Sequence, residues 1–319
     1  MSIQLLTPEG AVLGVLAALP LAALAAGARR GQRARGVLGL PGPGPRAAGP
    51  IVAVLGCAAL LALAATQPIV TEREDLRTRA DAEAIVAIDT SRSMLAAAAP
   101  HAETRFERAR GGAARLAEAL PDVPLGLASM TDRVLPHAFP TPRHDTFLAT
   151  LERVLAVERP PPGASEVQAT SLGALADVAT GEFFSPGVER RLLFVLTDGE
   201  SRRFGAAGLE RALADADIET ILVHVWEPEE HIFNRHGRPE LSYVPDASSG
   251  QLVAALGSSL GAAFGEQDLD SAVRSARDYL GSGPTENVGV EVGAVHLAPA
   301  AVLVALLPLG FLLWSRNAS

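Results

Sequence analysis

The stretch Ile85-Val-Ala-Ile-Asp-Thr-Ser-Arg-Ser-Met94 decides the fold that this sequence predicts. Its apolar half, Ile85 to Ile88, predicts a buried strand, because strands covered on both faces are continuous apolar runs. Asp89, Ser91 and Ser93 follow at once, and open α/β sheets place their ligand sites at the carboxyl ends of strands. One carboxylate and two hydroxyls are oxygen donors of the kind that a hard cation such as Mg²⁺ prefers.

Strands and helices alternate on either side of this stretch. Predicted strands cover residues 83–88, 123–130, 134–139, 191–196 and 219–226, and predicted helices cover 104–120, 143–157, 168–180, 206–216, 248–264 and 268–280. The turn Thr131-Asp-Arg133 predicts a hairpin between the second and third strands. Strands that alternate with helices of this length imply parallel crossovers. The sequence therefore predicts an α/β fold with a mostly parallel central sheet flanked by helices.

Composition excludes several classes of function. All 27 basic residues are arginines, so sites that need a lysine, such as a P-loop or a Schiff base, are excluded. Residues 71–292 hold 21 of these arginines and 35 of the 36 acidic residues, which gives this region a formal charge of −14. Such an acidic region argues against nucleic-acid binding. The single Cys57 excludes a disulfide within the chain.

Three long apolar runs predict membrane helices. They cover residues 10–27, 50–66 and 293–314, and a membrane-spanning helix needs about 20 mostly apolar residues. The loop 28–49 between the first two runs contains five arginines and no acid, and Arg316 follows the third run. Because arginine-rich loops stay in the cytoplasm, we predict a multi-pass protein of the cell membrane with its α/β domain on the extracytoplasmic side.

The predicted organisation has five parts. They are an N-terminal transmembrane hairpin (1–70), a charged connector (71–82), the α/β domain (83–282), a linker (283–292) and a C-terminal transmembrane helix (293–314).

Two later segments complete a candidate ligand set with Asp89, Ser91 and Ser93. The apolar strand 192–196 ends in Thr197-Asp198-Gly199, so Asp198 emerges at the same sheet edge if the two strands are parallel neighbours. Thr170 opens a predicted helix after a proline-rich loop. The alternative is that these hydroxyls only cap helices and turns.

These segments resemble a known site. D-x-S-x-S at 89–93, T-x-L-G-x-L at 170–175 and L-T-D-G at 196–199 resemble the metal-ion-dependent adhesion site of von Willebrand factor type A (VWA) domains, which have a Rossmann-like fold. The resemblance implies that Ser91, Ser93 and Thr170 are hydroxyl ligands of Mg²⁺ or Mn²⁺. It implies that Asp89 and Asp198 assist as carboxylates, and that an acidic residue of a protein partner completes the metal site. The sequence departs from the family at Arg92, where many members have glycine.

The arrangement of the whole chain is similar to that of membrane-anchored bacterial aerotolerance (Bat) proteins. In these, too, a helical hairpin with a run such as Leu61-Ala-Leu-Ala-Ala-Thr-Gln-Pro68 precedes the VWA domain, and a helix follows it. The resemblance implies other membrane proteins as partners, a MoxR-type AAA ATPase system, and a role in envelope stress or assembly.

Three functions remain open from the sequence. The first is a non-enzymatic module that binds proteins through its metal. The second is a structural protein of a membrane complex, in which the metal only stabilises the fold. The third is a metallohydrolase, for which Asp132 or Glu200 would be the base, although nothing selects either. Gly257-Ser-Ser-Leu-Gly261 matches G-x-S-x-G, but it lies in a predicted helix and predicts helix packing. Residues 227–236 hold three acids and two histidines without a metal-binding spacing, which predicts a solvated loop. The alternative is an insertion near the sheet edge that contacts a partner.

Overall fold

The computed structural model describes residues 2–38, 48–159, 161 and 170–317. The chain forms two compact units. One unit is Leu76–Val288, and the other combines the segments Met1–Asp75 and Gly289–Ser319.

The described residues form strands, α-helices and short 3₁₀ segments. The strands are β1 Ser2–Leu5, β2 Pro68–Arg79, β3 Ala82–Asp89, β4 Leu125–Met130, β5 Val134–Thr141, β6 Arg190–Thr197, β7 Ile218–His224, β8 Gly261–Gly265 and β9 Thr285–His296. The α-helices are α1 Ala18–Val37, α2 Ala48–Ala65, α3 Arg105–Ala119, α4 His144–Arg153, α5 Ala176–Thr180, α6 Ala206–Asp215, α7 Ser249–Leu260, α8 Leu269–Leu280 and α9 Ala298–Asn317. The 3₁₀ segments are Pro8–Ala17, Arg92–Leu95, Leu172–Leu175 and Glu266–Asp268.

A six-stranded sheet organises the larger unit, in the order β5-β4-β3-β6-β7-β8. Every neighbouring pair is parallel except β4 and β5, which form the predicted antiparallel hairpin. Two register shifts interrupt the pairing of β4 with β5 at the sheet edge. The prediction of a mostly parallel α/β sheet is confirmed, and β3 lies inside it between β4 and β6.

Helices cover both faces of this sheet. Residues of α3, α4 and α8 form one buried core with Ala84, Val86 and Ile88 of β3. Residues of α6 and α7, with the segment 172–178, form the other core with Ile85 and Ala87. All eight residues of β3 are buried. Asp89 therefore reaches the carboxyl edge of the sheet at the end of a strand that is packed on both faces.

Helix α3 uses its predicted apolar face for this packing. The buried residues of that face are Phe106, Ala109, Ala113, Leu116 and Leu120. A capping box starts the helix, because the Thr104 side chain accepts from the backbone of Glu107 and the Glu107 side chain accepts from the backbone of Thr104. This start fixes the position of Arg105, the first helical residue, which is completely buried.

The prediction of one helix over residues 248–264 was wrong. Helix α7 ends at Leu260, and Gly261–Gly265 forms β8 beside β7. Gly261 has a φ of 150°, which a side chain rarely permits, and this breaks the helix. The small residues of β8 suit a helix by propensity, but their pairing with β7 overrides that preference. The G-x-S-x-G match therefore spans a helix end, and the strand-turn-helix of a nucleophile elbow is not formed there.

Two other segments also differ from the prediction. The connector 71–82 and the linker 283–292 lie largely in strands β2 and β9, which are neighbours in a second sheet of order β1-β2-β9. Of the predicted helix 168–180, the part from Leu172 is a 3₁₀ turn followed by α5, and residues 168 and 169 lie outside the described part of the chain.

Of the three predicted membrane spans, one is supported by the described part of the chain. Among the described residues, only the stretch Ala298–Ser315 of α9 is a helix long and apolar enough to cross a membrane, and the apolar part of α2 is shorter. The run 10–27 is divided between a 3₁₀ segment that ends at Ala17 and helix α1. Because α1 continues through Arg29, Arg30 and Arg33, the predicted arginine loop is helical as far as Val37. Residues 39–47 of that loop lie outside the described part.

Helices α2 and α9 pack against each other in the smaller unit. Gly49 near the start of α2 lies against Phe311 near the end of α9, so the two helices are antiparallel. The groove between them is lined mostly by small or apolar residues, among them Gly49, Ala53, Gly56 and Pro308. Small residues of this kind let membrane helices approach each other closely.

Replacement of two glycines by alanine should change the stability in opposite directions, because Gly257 lies in the close packing of α7 on β8 and Gly111 lies in open space. A Cβ at Gly257 would lie 2.3 Å from the Cβ of Ala263 and 2.6 Å from its backbone nitrogen, whereas a Cβ at Gly111, on the exposed side of α3, meets nothing within 4 Å. Gly257→Ala should therefore lower the free energy of unfolding by about 1–3 kcal/mol through overpacking. Gly111→Ala should raise it by about 0.5–1 kcal/mol, because alanine favours a helix.

Denaturant unfolding followed by Trp226 fluorescence, in a Trp314→Phe background, measures both effects. A Gly257→Ala variant as stable as the parent would contradict the observed contact between α7 and β8.

Candidate functional site

Asp89 is the centre of a hydrogen-bonded cluster at the carboxyl edge of the sheet. It is completely buried. Its Oδ1 atom accepts from the backbone nitrogen of Ser91 at 2.9 Å, and its Oδ2 atom accepts from Oγ1 of Thr197 at 2.8 Å. Burial raises the pKa of Asp89 to about 7, and the nearby charge of Asp198 adds to the rise. The carboxyl group is thus held in place where an uncompensated negative charge is unfavourable.

Three of the predicted hydroxyl ligands lie around Asp89. The Oγ atoms of Ser91 and Ser93 are 2.9 Å apart. Oγ1 of Thr170 is 3.5 Å from Oδ1 of Asp89 and donates a long hydrogen bond to it. Thr170 is buried, Ser91 is nearly so, and Ser93 is partly exposed. The structure therefore brings together Asp89, both serines and Thr170 from two separate loops.

Asp198 follows the neighbouring strand β6, but its carboxylate is bonded differently. Its Oδ1 atom accepts from the backbone nitrogen of Glu200 at 3.0 Å, and its Oδ2 atom lies 3.1 Å from Nη1 of Arg105. Both side chains are completely buried. Asp198 is near enough to raise the pKa of Asp89, and its direct partner is a buried arginine that the sequence analysis did not identify.

The donor set fits a divalent cation. Two buried carboxylates and three hydroxyls are hard oxygen ligands of the kind found around Mg²⁺. A cation beside Asp89 would offset both the burial and the repulsion from Asp198 that raise its pKa. Among the described residues, no three His, Cys, Asp or Glu side chains form a metal-binding group. A site in which hydroxyls provide most of the ligands does not need such a group.

Comparison with known proteins agrees with this geometry. Residues 84–200 match the family model of the von Willebrand factor type A domain. This segment is a VWA domain. The match includes β3 with the Asp89 loop and ends with the Asp198 loop, so it spans every residue of the candidate metal site.

Two solved structures are similar to this chain. The first is the conserved hypothetical protein BatB from Bacteroides thetaiotaomicron, with 22% identity, a TM-score of 0.50, and coverage of 62% of this chain and 98% of that chain. The second is an aerotolerance-related membrane protein from Bacteroides fragilis, with 20% identity, a TM-score of 0.49 and the same coverage. At this level of identity, the likeness to the first structure shows a shared fold alone. No curated protein sequence matches the chain significantly.

A buried charge cluster lies beside the candidate metal site of the VWA domain. Nη1 of Arg105 donates to Glu200 at 2.9 Å, and its Nε donates to Glu230 at 2.6 Å. Burial alone would lower the pKa of Arg105, but Asp198 and the other groups around it raise the pKa above its ordinary value. The guanidinium also lies over the Trp226 ring at 5.7 Å. Arg105 therefore remains charged and links α3 to the loops after β6 and β7.

The 227–244 loop is held on the VWA domain by this cluster. Tyr243 accepts from Nη1 of Arg105 and donates to Glu200 at 2.8 Å. Glu230 is buried between Arg105 and Arg108, whose Nη2 lies 2.6 Å from its second oxygen. The prediction of a solvated loop over residues 227–236 is thus wrong for Glu230, which is buried.

Sequence reasoning missed Arg105, Glu230 and Thr197. Thr197 is part of the L-T-D-G motif, and its hydroxyl directly before Asp198 could have identified it as a member of the site. Arg105 and Glu230 are 125 positions apart. A lone arginine at a helix start and one acid in an acidic loop carry no local pattern that predicts their pairing.

The cluster also bears on Glu200 as a possible base of a hydrolase. Glu200 accepts hydrogen bonds from Arg105, Tyr243 and the Trp226 indole. Burial and the charge of Asp198 raise its pKa, but its carboxylate is engaged by these three donors. The bonding of Glu200 therefore matches a structural role better than proton transfer.

Loss of the Arg105 charge should strongly destabilise the domain. Arg105→Met removes the cation that pairs with the buried Asp198 and Glu200 and leaves Glu230 with Arg108 alone. Breaking a buried ion pair from one side costs about 3–5 kcal/mol. The matched control is Arg115→Met, because Arg115 pairs with Asp270 and both side chains are more than half exposed. An exposed pair contributes about 1 kcal/mol or less.

Denaturant unfolding of both variants, again with Trp226 as the probe, measures the difference. Equal stability of Arg105→Met and Arg115→Met would refute the role of Arg105 as the compensating charge.

Proposed function

We propose that this protein is a non-enzymatic, membrane-anchored VWA protein that binds other proteins through a divalent cation. Its ligands are the hydroxyls of Ser91, Ser93 and Thr170 and the carboxylates of Asp89 and Asp198. The observation that supports this proposal most is that Ser91 and Thr170 both bond to the buried carboxylate of Asp89, while the hydroxyl of Ser93 lies 2.9 Å from that of Ser91. The cation is Mg²⁺ or Mn²⁺, because the donors are all oxygen atoms.

When bound, the cation supplies an electrophilic position that accepts a carboxylate oxygen of a protein partner. The residues of this chain prepare that position. Thr197 orients Asp89 through a 2.8 Å hydrogen bond, and Arg105 neutralises Asp198. Because Arg105 neutralises the charge of Asp198, the ligands offset less of the positive charge of the cation, and the cation can still attract an external carboxylate.

Membrane attachment is the second part of the proposal. Helix α9 is the anchor, and α2 packs beside it as an antiparallel partner. Arginines lie in α1 before α2, and Arg316 lies near the end of α9. By the positive-inside rule, the N-terminal end of α2 and the C-terminal end of α9 therefore face the cytoplasm. The VWA domain then lies on the extracytoplasmic side.

The solved relatives suggest the biological setting. One is BatB, and the other is an aerotolerance-related membrane protein. By analogy of architecture, we place this chain in a bacterial Bat-type envelope system, with other membrane proteins and a MoxR-type AAA ATPase as partners.

Metal binding can be tested on the purified full-length chain in detergent. Calorimetric titration should detect one Mg²⁺ or Mn²⁺ site. Ser93→Ala should weaken the affinity by about tenfold or more, because even groups that only support a ligand cost this much. Ser258→Ala is the matched control, since the Ser258 hydroxyl is exposed and bonds only to Ala254 within α7 in the described contacts. Failure of the parent chain to bind either ion would refute the proposal.

Topology can be tested with a membrane-impermeant maleimide on spheroplasts. Ser258→Cys, exposed on α7 of the VWA domain, should react without permeabilisation. Gly31→Cys, exposed on α1, should react only after permeabilisation. The native Cys57 lies in α2 and serves as the background. Early labelling of Gly31→Cys together with protection of Ser258→Cys would reverse the assigned orientation.

A further inference from the structure

We propose that the partner of this VWA domain is an acidic protein segment that carries several carboxylates. One carboxylate binds the cation, and a second binds the guanidinium of Arg92. This inference rests on the proposed function and deepens it, because it assigns Arg92 as a specificity-determining residue and names the chemistry of the partner.

Backbone hydrogen bonds join the loops of the metal edge into one surface. The backbone nitrogen of Glu158 donates to the carbonyl of Thr90 at 2.7 Å, and that of Ser171 donates to Thr131 at 2.9 Å. The nitrogen of Arg202 donates to the carbonyl of Thr170 at 3.0 Å. Residues that follow β3, β4 and β6, and the loop after α4, therefore lie side by side.

Each of these loops carries an arginine. The residues are Arg92, Arg133, Arg159, Arg202 and Arg203, and we call them the arginine rim. Among the described residues of these loops, the charged side chains classed as exposed are Arg92, Arg159 and Arg203. The acids Asp132 and Glu158 on the same loops are only partly exposed. The exposed charge on the described residues of these loops is therefore positive, although the region 71–292 as a whole has a charge of −14.

Among the residues of the arginine rim, Arg92 has the position that says most about how a partner would bind. It lies between the two metal-binding serines of D-x-S-x-S, and its side chain is 52% exposed. A carboxylate already binds it in the structure: Nη2 of Arg92 donates to both oxygens of Glu240, at 2.9 and 2.7 Å. Glu240 belongs to the 227–244 loop. Its carboxylate shows where, and in what geometry, a carboxylate of a partner would bind beside the cation.

The contact between Arg92 and Glu240 is weak enough to be exchanged. The pair lies at the surface, where the side chain of Arg92 is 52% exposed and that of Glu240 is 24% exposed. Ion pairs near the surface contribute about 1 kcal/mol or less. A partner carboxylate, positioned by a neighbouring carboxylate on the cation, binds Arg92 at high effective concentration and displaces Glu240. The same charges slow the approach of basic proteins and favour the approach of acidic ones.

The test uses the full-length chain in detergent at saturating Mg²⁺ and two synthetic peptides. One is a capped oligoglutamate peptide, and the other is its matched form in which every glutamate but one is glutamine. Arg92→Gln should weaken binding of the oligoglutamate peptide about fivefold and leave binding of the single-glutamate peptide unchanged. Arg115→Gln, which removes an exposed arginine from α3, should change neither.

Glu240→Gln provides the reciprocal measurement. Because it frees Arg92 from its internal partner, it should strengthen binding of the oligoglutamate peptide about two- to fivefold. Opposite effects of Arg92→Gln and Glu240→Gln on the same peptide would not arise from a general loss of folding.

The outcomes separate this inference from the proposed function. If EDTA leaves binding of the single-glutamate peptide unchanged, the metal bridge itself is wrong. If EDTA abolishes binding of both peptides but Arg92→Gln affects neither, or affects both equally, the metal bridge stands and the role of Arg92 is overturned. Absence of any binding of the oligoglutamate peptide to the parent chain would also overturn it.

Discussion

A single buried guanidinium holds the functional edge of this protein together. Arg105 starts α3, and it faces Asp198 and Glu200 after β6 and Glu230 in the 227–244 loop. A charge removed from water must be paired, because its desolvation is otherwise prohibitive. Asp198 and Glu200 therefore require Arg105, Glu230 pairs with both Arg105 and Arg108, and Arg105 requires all three carboxylates. This mutual dependence fixes the loops after two adjacent strands with respect to α3, and it orients the carboxylate of Asp198.

The sequence predicted the parts of this architecture that local chemistry determines. Apolar runs and helical periodicity predicted the strands of the sheet and the packed face of α3, and the order of Asp89, Ser91, Ser93, Thr170 and Asp198 predicted their common edge. It did not predict β8, because Gly261-Ala-Ala-Phe-Gly265 becomes a strand only through its pairing with β7. Nor could it predict the contact between Arg105 and Glu230, which depends on the completed fold rather than on neighbouring residues.

Hydropathy gave the wrong helix boundaries in the N-terminal segment for a related reason. The run 10–27 has the composition of a membrane span, but composition does not show where a helix begins and ends. In the structure the helix starts at Ala18 and includes the arginines that were assigned to a loop. Secondary structure boundaries thus changed the interpretation of the N-terminal segment. For α9, helix and apolar run coincide closely, and the interpretation is unchanged.

The two edge strands of the six-stranded sheet protect the domain from aggregation at high local concentration. A free strand edge invites pairing with another copy, and this leads to aggregation. Here β5 contains Pro136 and Pro140, which lack the donor that such pairing needs, and its register shifts distort the edge. The opposite strand, β8, has only five residues. Crowded copies of this domain on one membrane would therefore resist fusing into a continuous sheet.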